Sequence, residues 1–311
     1  MSIWSFPQIN KLVNQKYQLT LNEGNTPLEK YIINGGINFV VIKREDKNPN
    51  GSFKDRSLAF QISKKLEMGI KELVISSTGN AAISAIAYAK LSMLKLHVFI
   101  SPKIPKEKMM KIKAAQNDNI RIYISNKAKS DAIKLSKKKN IINLRGSIDY
   151  DAIIGYKTIS YELAKQNPEI DAIFVPVSSG TNVIGIYKGY SDLMRNKEIS
   201  IIPQIHIVQT ERIYPIAKVF DKEFERKNTS IALAITDKVA HRKQEVLNII
   251  KKTNGFGWII SDDMIRNAIR LAKILNINNN SPNSNLSLAG YLKSKAKGYK
   301  FNNPCLIFSG L

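Results

Sequence analysis

Lys54 stands on an unusual mount. The stretch EDKNPNGSFKDRSLAF (45–60) places it behind the turn formers Asn48, Pro49, Asn50 and Gly51, and directly ahead of Asp55, Arg56 and an apolar pattern of helical period. A lysine fixed at a helix start, beside the positive end of the helix dipole and partly desolvated, has a lowered pKa and can serve as an amine nucleophile or a base. Two other stretches join small residues and hydroxyls where an apolar run passes into a helical pattern. After LVIS come Ser76, Ser77, Thr78, Gly79 and Asn80, whose hydroxyls and amide at a helix N-terminus suit a carboxylate, or a plain strand-to-helix cap. In VPVSSGTNVIG (175–185), the run Ser178, Ser179, Gly180, Thr181 and Asn182 makes a phosphate cradle, or again a cap. Ile186 follows Gly185 where a nucleotide-binding P-loop needs lysine, and no G-x-G-x-x-G is present. Near the end, CLIFSGL puts Ser309 at the close of a strand, which alone says little.

Taken together, a reactive lysine, a phosphate cradle and a carboxylate loop describe a site for a phosphorylated aldehyde and an amino acid. That combination points to pyridoxal 5'-phosphate, whose chemistry needs a lysine for a Schiff base and an anchor for its phosphate.

The elements that must position these residues are legible as alternation. KELVIS precedes AAISAIAYAKLS, LHVFIS precedes KEKMMKIKAA, and RIYIS precedes SDAIKLSKKK. IINL, DAIFVPV and QIHIVQ are likewise followed by YDAIIGYKTISYELAKQ, NVIGIYKGYSDLM and YPIAKVF. Short apolar strands separated by helical segments predict parallel sheets covered on both faces, and so many units predict two sheets. Ligands of such sheets bind beyond the carboxyl ends of the strands, where the three candidate stretches fall. Ser261 is the expected N-cap of DDMIRNAIRLAKIL, and NINNNSPNSN (276–285) reads as a polar loop.

Composition narrows the class. The 311 residues are 43% apolar, enough for a substantial core. The net charge of +23 comes from lysines spread over helical stretches and rarely interleaved with aromatics, so a nucleic-acid partner is not expected. No apolar run reaches the ~18 residues of a membrane span, and MSIWSFPQINK does not read as a signal peptide, so no membrane partner is expected either. The single cysteine, Cys305, fits a reducing cytoplasm. The three scattered histidines lack metal-site spacing, so no metal is expected.

Four stretches, EGNTPL (23–28), NPNGSFKDR, SSTGNAAISAIAYA and FVPVSSGTNVIGIYKGY, together resemble the threonine synthase branch of the fold-type-II pyridoxal-phosphate enzymes. The similarity runs from about residue 20 to the end, with weaker echoes in TERIYPIAKVF, NTSIALAI, NGFGWIISDDMI and LSLAGYLK. It implies a tryptophan synthase beta-like α/β fold of two doubly wound three-layer domains, a large one of residues 1–55 and 149–311 and a small one of 56–148, with the cofactor in the cleft between them. It further implies that Lys54 forms the Schiff base and shuttles protons, and that Asn80 bonds the cofactor's ring oxygen. Ser77, Thr78 and Gly79 hold the substrate carboxylate, Ser178, Ser179, Gly180, Thr181 and Asn182 the cofactor phosphate, and Ser309 faces the pyridine nitrogen. Asp55 and Arg56 then support the lysine turn. The implied reaction is O-phospho-L-homoserine plus water to L-threonine plus phosphate, in a homodimer acting on a small amino-acid substrate. Sister lyases are the alternatives, a threonine or serine dehydratase or a β-replacement enzyme using an O-activated serine, together with a catalytically degenerate relative.

Several positions depart from the pattern. In NLRGSIDYDAIIGYKT, Ser147 fits the serine expected on the substrate phosphate, but Ala152 stands where an arginine is expected, leaving Arg145 as a substitute. The phosphate loop opens with Ser178 in place of glycine, the stretch from Ser281 to Ser284 lacks the expected acidic residue, and the chain stops at Leu311 where relatives continue.

Overall fold

The apolar runs become strands of two sheets, and the segments between them become helices that cover those sheets. A computed structural model describes residues 2–33, 38–77, 79–138 and 140–311. Among these, the strands are β1 (Leu28–Ile33), β2 (Asn38–Lys43), β3 (Glu72–Ser77), β4 (Lys95–Ile100), β5 (Ile120–Ile124), β6 (Ile141–Asn143), β7 (Ala172–Pro176), β8 (Gln204–Thr210), β9 (Gly257–Ile260) and β10 (Pro304–Ile307). The helices are α1 (Pro7–Asn10), α2 (Lys54–Glu67), α3 (Asn80–Ser92), α4 (Lys106–Lys113), α5 (Ala128–Leu135), α6 (Asp151–Gln166), α7 (Thr181–Arg195), α8 (Lys243–Lys252), α9 (Asp262–Ile274) and α10 (Pro282–Ala296). Contacts divide the chain into one unit of Met1–Asn25 with Asn48–Thr158 and another of Thr26–Lys47 with Ile159–Leu311.

The first unit carries a four-stranded, all-parallel sheet in the order β5-β4-β3-β6. Val74, Phe99 and Ile141 from three of its strands pack with Ala128 and Ala132 of α5. The contact-defined units are drawn differently from the split implied by resemblance: the first 25 residues fall with this sheet, where they meet α2. Trp4 stacks on Phe60 at 5.8 Å, and Ser63 Oγ and Glu67 Oε1 accept from the amides of Leu19 and Asn14 at 2.9 and 2.7 Å. The start of α6 belongs to the same unit. A Cβ on Gly155 would lie 2.0 Å from the Arg56 carbonyl oxygen, so glycine permits the close approach of α6 to α2.

The second unit carries a six-stranded sheet in the order β1-β2-β10-β7-β8-β9, parallel throughout except for the antiparallel β1–β2 pair at its edge. The β1 strand lies ahead of the alternation read from sequence. Its core gathers Phe174, Trp258, Tyr291, Leu306 and Phe308. His206 is fully buried there, stacked on Phe174 at 4.6 Å and accepting from Trp258 Nε1 at 3.2 Å, and burial lowers its pKa to about 3. It is a neutral core residue.

Two local expectations are corrected. YPIAKVF forms no helix beyond a single 3-10 turn at Ala217–Val219, whose leading amides, of Ile216 and Ala217, donate to Gln209 Oε1 at 3.0 and 2.9 Å. The polar stretch 276–285 is not all loop: α10 begins within it at Pro282, a residue suited to the first helical turn, and Ser284 and Asn285 are fully buried. Ser261 caps α9 as expected, accepting from the Met264 amide at 3.2 Å.

Candidate active site

Lys54 is the first residue of α2, and its turn is braced from three sides. Gly51 takes φ +77°, a left-handed conformation that glycine adopts without strain, and its amide donates to the Asn48 carbonyl at 2.8 Å. The buried Asp55 carboxylate accepts from the Asn50 amide at 2.7 Å and from Asn50 Nδ2 at 2.9 Å. Asn48 Oδ1 accepts from the Gly24 amide at 2.9 Å, which ties the EGNTPL stretch to the same turn. Arg56 is fully buried, and its Nη1 donates to Thr158 Oγ1 at 2.9 Å.

The lysine stem keeps some accessible surface, but its amine sits among rings. Nζ lies 4.4 Å from the Phe53 ring centre and 5.8 Å from that of Tyr156, and it donates to the Tyr156 hydroxyl at 3.4 Å. Burial lowers its pKa from 10.5 to about 8. About a tenth of the amine is therefore neutral near pH 7, far more than for an exposed lysine, as nucleophilic or basic chemistry requires. Tyr156 stands 102 residues away in sequence, and nothing in its local pattern marks it.

At the carboxyl end of β3, Ser77 Oγ accepts from the Gly79 amide at 3.2 Å, and Gly79, with φ +146°, caps α3 without a side-chain hydrogen bond. Thr78, expected beside them, lies outside the described residues. An uncapped helix start leaves amide donors for an anion. Lys108 of α4 crosses this loop and donates to Asn80 Oδ1 at 2.5 Å, a contact that sequence reasoning missed.

The neighbouring strand β6 ends at the same edge. Val74 pairs with Asn143, and the Leu144 amide donates to the Val74 carbonyl at 2.9 Å, so the chain runs on to Arg145 and Ser147 in the direction in which β3 continues to Ser77. Arg145 Nη2 and Ser147 Oγ are both buried without a hydrogen-bond partner. Ala152, by contrast, is fully buried, its Cβ 3.4 Å from where a Cβ on Gly146 would be, so this position faces packed protein.

In the second unit, Gly180 takes φ +91° and caps α7, again without a side-chain hydrogen bond. A Cβ at Gly180 would lie 2.5 Å from Val246 Cγ2. Ser179 and Thr181 hydroxyls lie 3.0 Å apart, and Asn182 Nδ2 donates to the Pro176 carbonyl at 3.1 Å. Ser178 Oγ accepts from the amides of Thr236 and Asp237 at 3.0 and 3.1 Å, which holds that segment against the loop. Ser309 is buried just beyond β10, and Ser284 Oγ fixes the adjacent Gly310 by bonding its carbonyl and amide at 2.5 and 3.0 Å.

Parallel strands whose carboxyl ends lead into helices, in each unit, are those of the doubly wound α/β folds, which bind ligands at that edge. Over residues 19–310 it matches the family described as pyridoxal-phosphate dependent enzyme, and it belongs to that family. The threonine synthase of Methanocaldococcus jannaschii is 27% identical over 285 residues, covering 87% of this chain and 70% of the relative. That of Methanosarcina acetivorans is 27% identical over 306 residues, covering 94% and 74%. Among solved structures, maize serine racemase aligns with a TM-score of 0.76 at 19% identity, over 97% of this chain and 92% of its own, which shows a shared fold. The expected fold-type-II architecture is borne out.

Proposed function

We propose that the chain is a threonine synthase-like carbon–oxygen lyase that converts O-phospho-L-homoserine and water to L-threonine and phosphate. The donor set fits the family's cofactor. The start of α7, where the N-cap Gly180 makes no side-chain hydrogen bond, with the hydroxyls of Ser179 and Thr181, suits a phosphate dianion, and Lys54 offers an amine whose pKa is lowered to about 8. Lys54, Asn80, Ser178 to Asn182 and Ser309 would hold pyridoxal phosphate, with Ser178 also bracing the loop through the amides it accepts. When bound, the cofactor supplies an electron sink for the carbanion left by loss of the substrate's α-proton.

The chain's own residues do the rest. Ser77 and the first amides of α3 orient the substrate carboxylate. As a neutral amine, Lys54 Nζ accepts the α-proton and then moves protons at the neighbouring carbons. Phosphate leaves, and water adds at the β-carbon. The observation that carries the substrate assignment is the pair of buried, unpartnered donors, Arg145 Nη2 and Ser147 Oγ, in the segment that follows β6, the strand paired in parallel with β3. Native proteins leave few such groups unmet, and a phosphate ester would satisfy both. Arg145 thereby takes the part of the arginine missing at Ala152.

Steady-state phosphate release from O-phospho-L-homoserine tests this. Ser147→Ala should raise KM about tenfold, the loss of one charge-assisted hydrogen bond, while kcat falls much less. An unchanged KM in Ser147→Ala would remove the phosphate assignment. If cofactor-loaded wild type releases no phosphate, serine, threonine and O-acetylserine become the substrates to assay.

A further inference from the structure

Lys108 is the third residue of α4, the helix that follows β4, and β4 lies beside β3 in the sheet. Its stem passes over Gly79 so closely that a Cβ there would lie 2.9 Å from Lys108 Cδ. Its amine ends on Asn80 Oδ1. An ammonium has donors only, so the Asn80 atom facing it must be the amide oxygen. The Nδ2 donor of Asn80 is thereby turned away from Lys108. The placement is not favourable for the lysine itself, because burial lowers its pKa, with Lys111 adding to that effect and Glu107 only opposing it. The lysine stem and amine thus close over the Gly79–Asn80 corner where α3 begins.

We propose that Lys108 is a positioning residue for the cofactor: it pins the Asn80 amide so that Nδ2 is presented to the ring oxygen of pyridoxal phosphate. The inference rests on the assignment of Asn80 to that oxygen. It deepens the cofactor reading without depending on which amino acid is the substrate. It also gives Gly79 a second reason to be glycine, since any side chain there would displace the lysine stem.

The test is a double-mutant cycle read by cofactor binding. Pyridoxal phosphate is titrated into cofactor-free wild type, Lys108→Met, Lys108→Arg, Asn80→Ala and the Lys108→Met/Asn80→Ala pair. Visible absorbance reports affinity and the pH midpoint of the bound chromophore. Lys108→Met should weaken binding about tenfold and move the midpoint, the scale of one charge-assisted hydrogen bond, and Lys108→Arg should restore both. In the Asn80→Ala background, Lys108→Met should add little, because its effect passes through Asn80. The proposal is overturned if Lys108→Met binds and titrates as wild type, if its loss persists undiminished without Asn80, or if Asn80→Ala leaves binding unchanged. Far-ultraviolet circular dichroism of each variant separates misfolding from the predicted loss. Failure of phosphate release from O-phospho-L-homoserine would sink the substrate assignment and leave this cycle unaffected.

Discussion

Replacing Lys54 by methionine should make the cofactor-free protein more stable. Methionine keeps an unbranched stem and removes a charge held among the Phe53 and Tyr156 rings. The folded-state pKa is about 8, against 10.5 for an exposed lysine. Well below pH 8 the amine is protonated in both folded and unfolded chains, so the full cost of burying the charge falls on the folded state. At about 1.4 kcal/mol per pH unit, that difference corresponds to an upper figure of about 3 kcal/mol near pH 7. Between pH 8 and 10.5 the unfolded chain holds more protons than the folded one, so wild-type stability rises with pH and the advantage of Lys54→Met shrinks to nothing. Urea denaturation of both cofactor-free proteins at about pH 7 and about pH 10 reads this directly. Adding pyridoxal phosphate should reverse the order, since the ligand stabilises only the protein that binds it. A Lys54→Met protein no more stable than wild type near pH 7 would refute the claim that the amine is held desolvated.

Two other substitutions test the mount. Asp55→Ala removes both acceptors of Asn50 and should cost about 2–3 kcal/mol, measured by urea denaturation, together with weaker cofactor binding as the turn loosens. Gly155→Ala should destabilise by about 3 kcal/mol or more, because the new Cβ meets Arg56 backbone that has no flexible side chain to yield, and the thermal midpoint should fall accordingly.

Much of this was legible because it is local. The turn formers ahead of Lys54, the glycines at two helix starts and the strand-like runs before them all lie within a few residues of the groups they position. What was illegible reaches the site from elsewhere. Tyr156 comes from α6 and Lys108 from α4, and neither residue type nor spacing points at the loop it touches. Ser178 reads as one more phosphate-binding hydroxyl, and nothing local shows that its oxygen also accepts from the amides of Thr236 and Asp237, some sixty residues on. YPIAKVF has the composition of a helix, yet it makes only one 3-10 turn, held at its start by Gln209 from the preceding strand. Assigning the first 25 residues to a unit required tertiary facts, such as Trp4 against Phe60, that no periodicity carries.

The most direct test of the account is turnover of O-phospho-L-homoserine by cofactor-loaded wild type and Lys54→Ala, with phosphate and threonine quantified in the same reaction. The account predicts equal amounts of both products from wild type and none from a folded Lys54→Ala. A wild type that carries the cofactor yet releases no phosphate, or a Lys54→Ala that turns over at the wild-type rate, would contradict it.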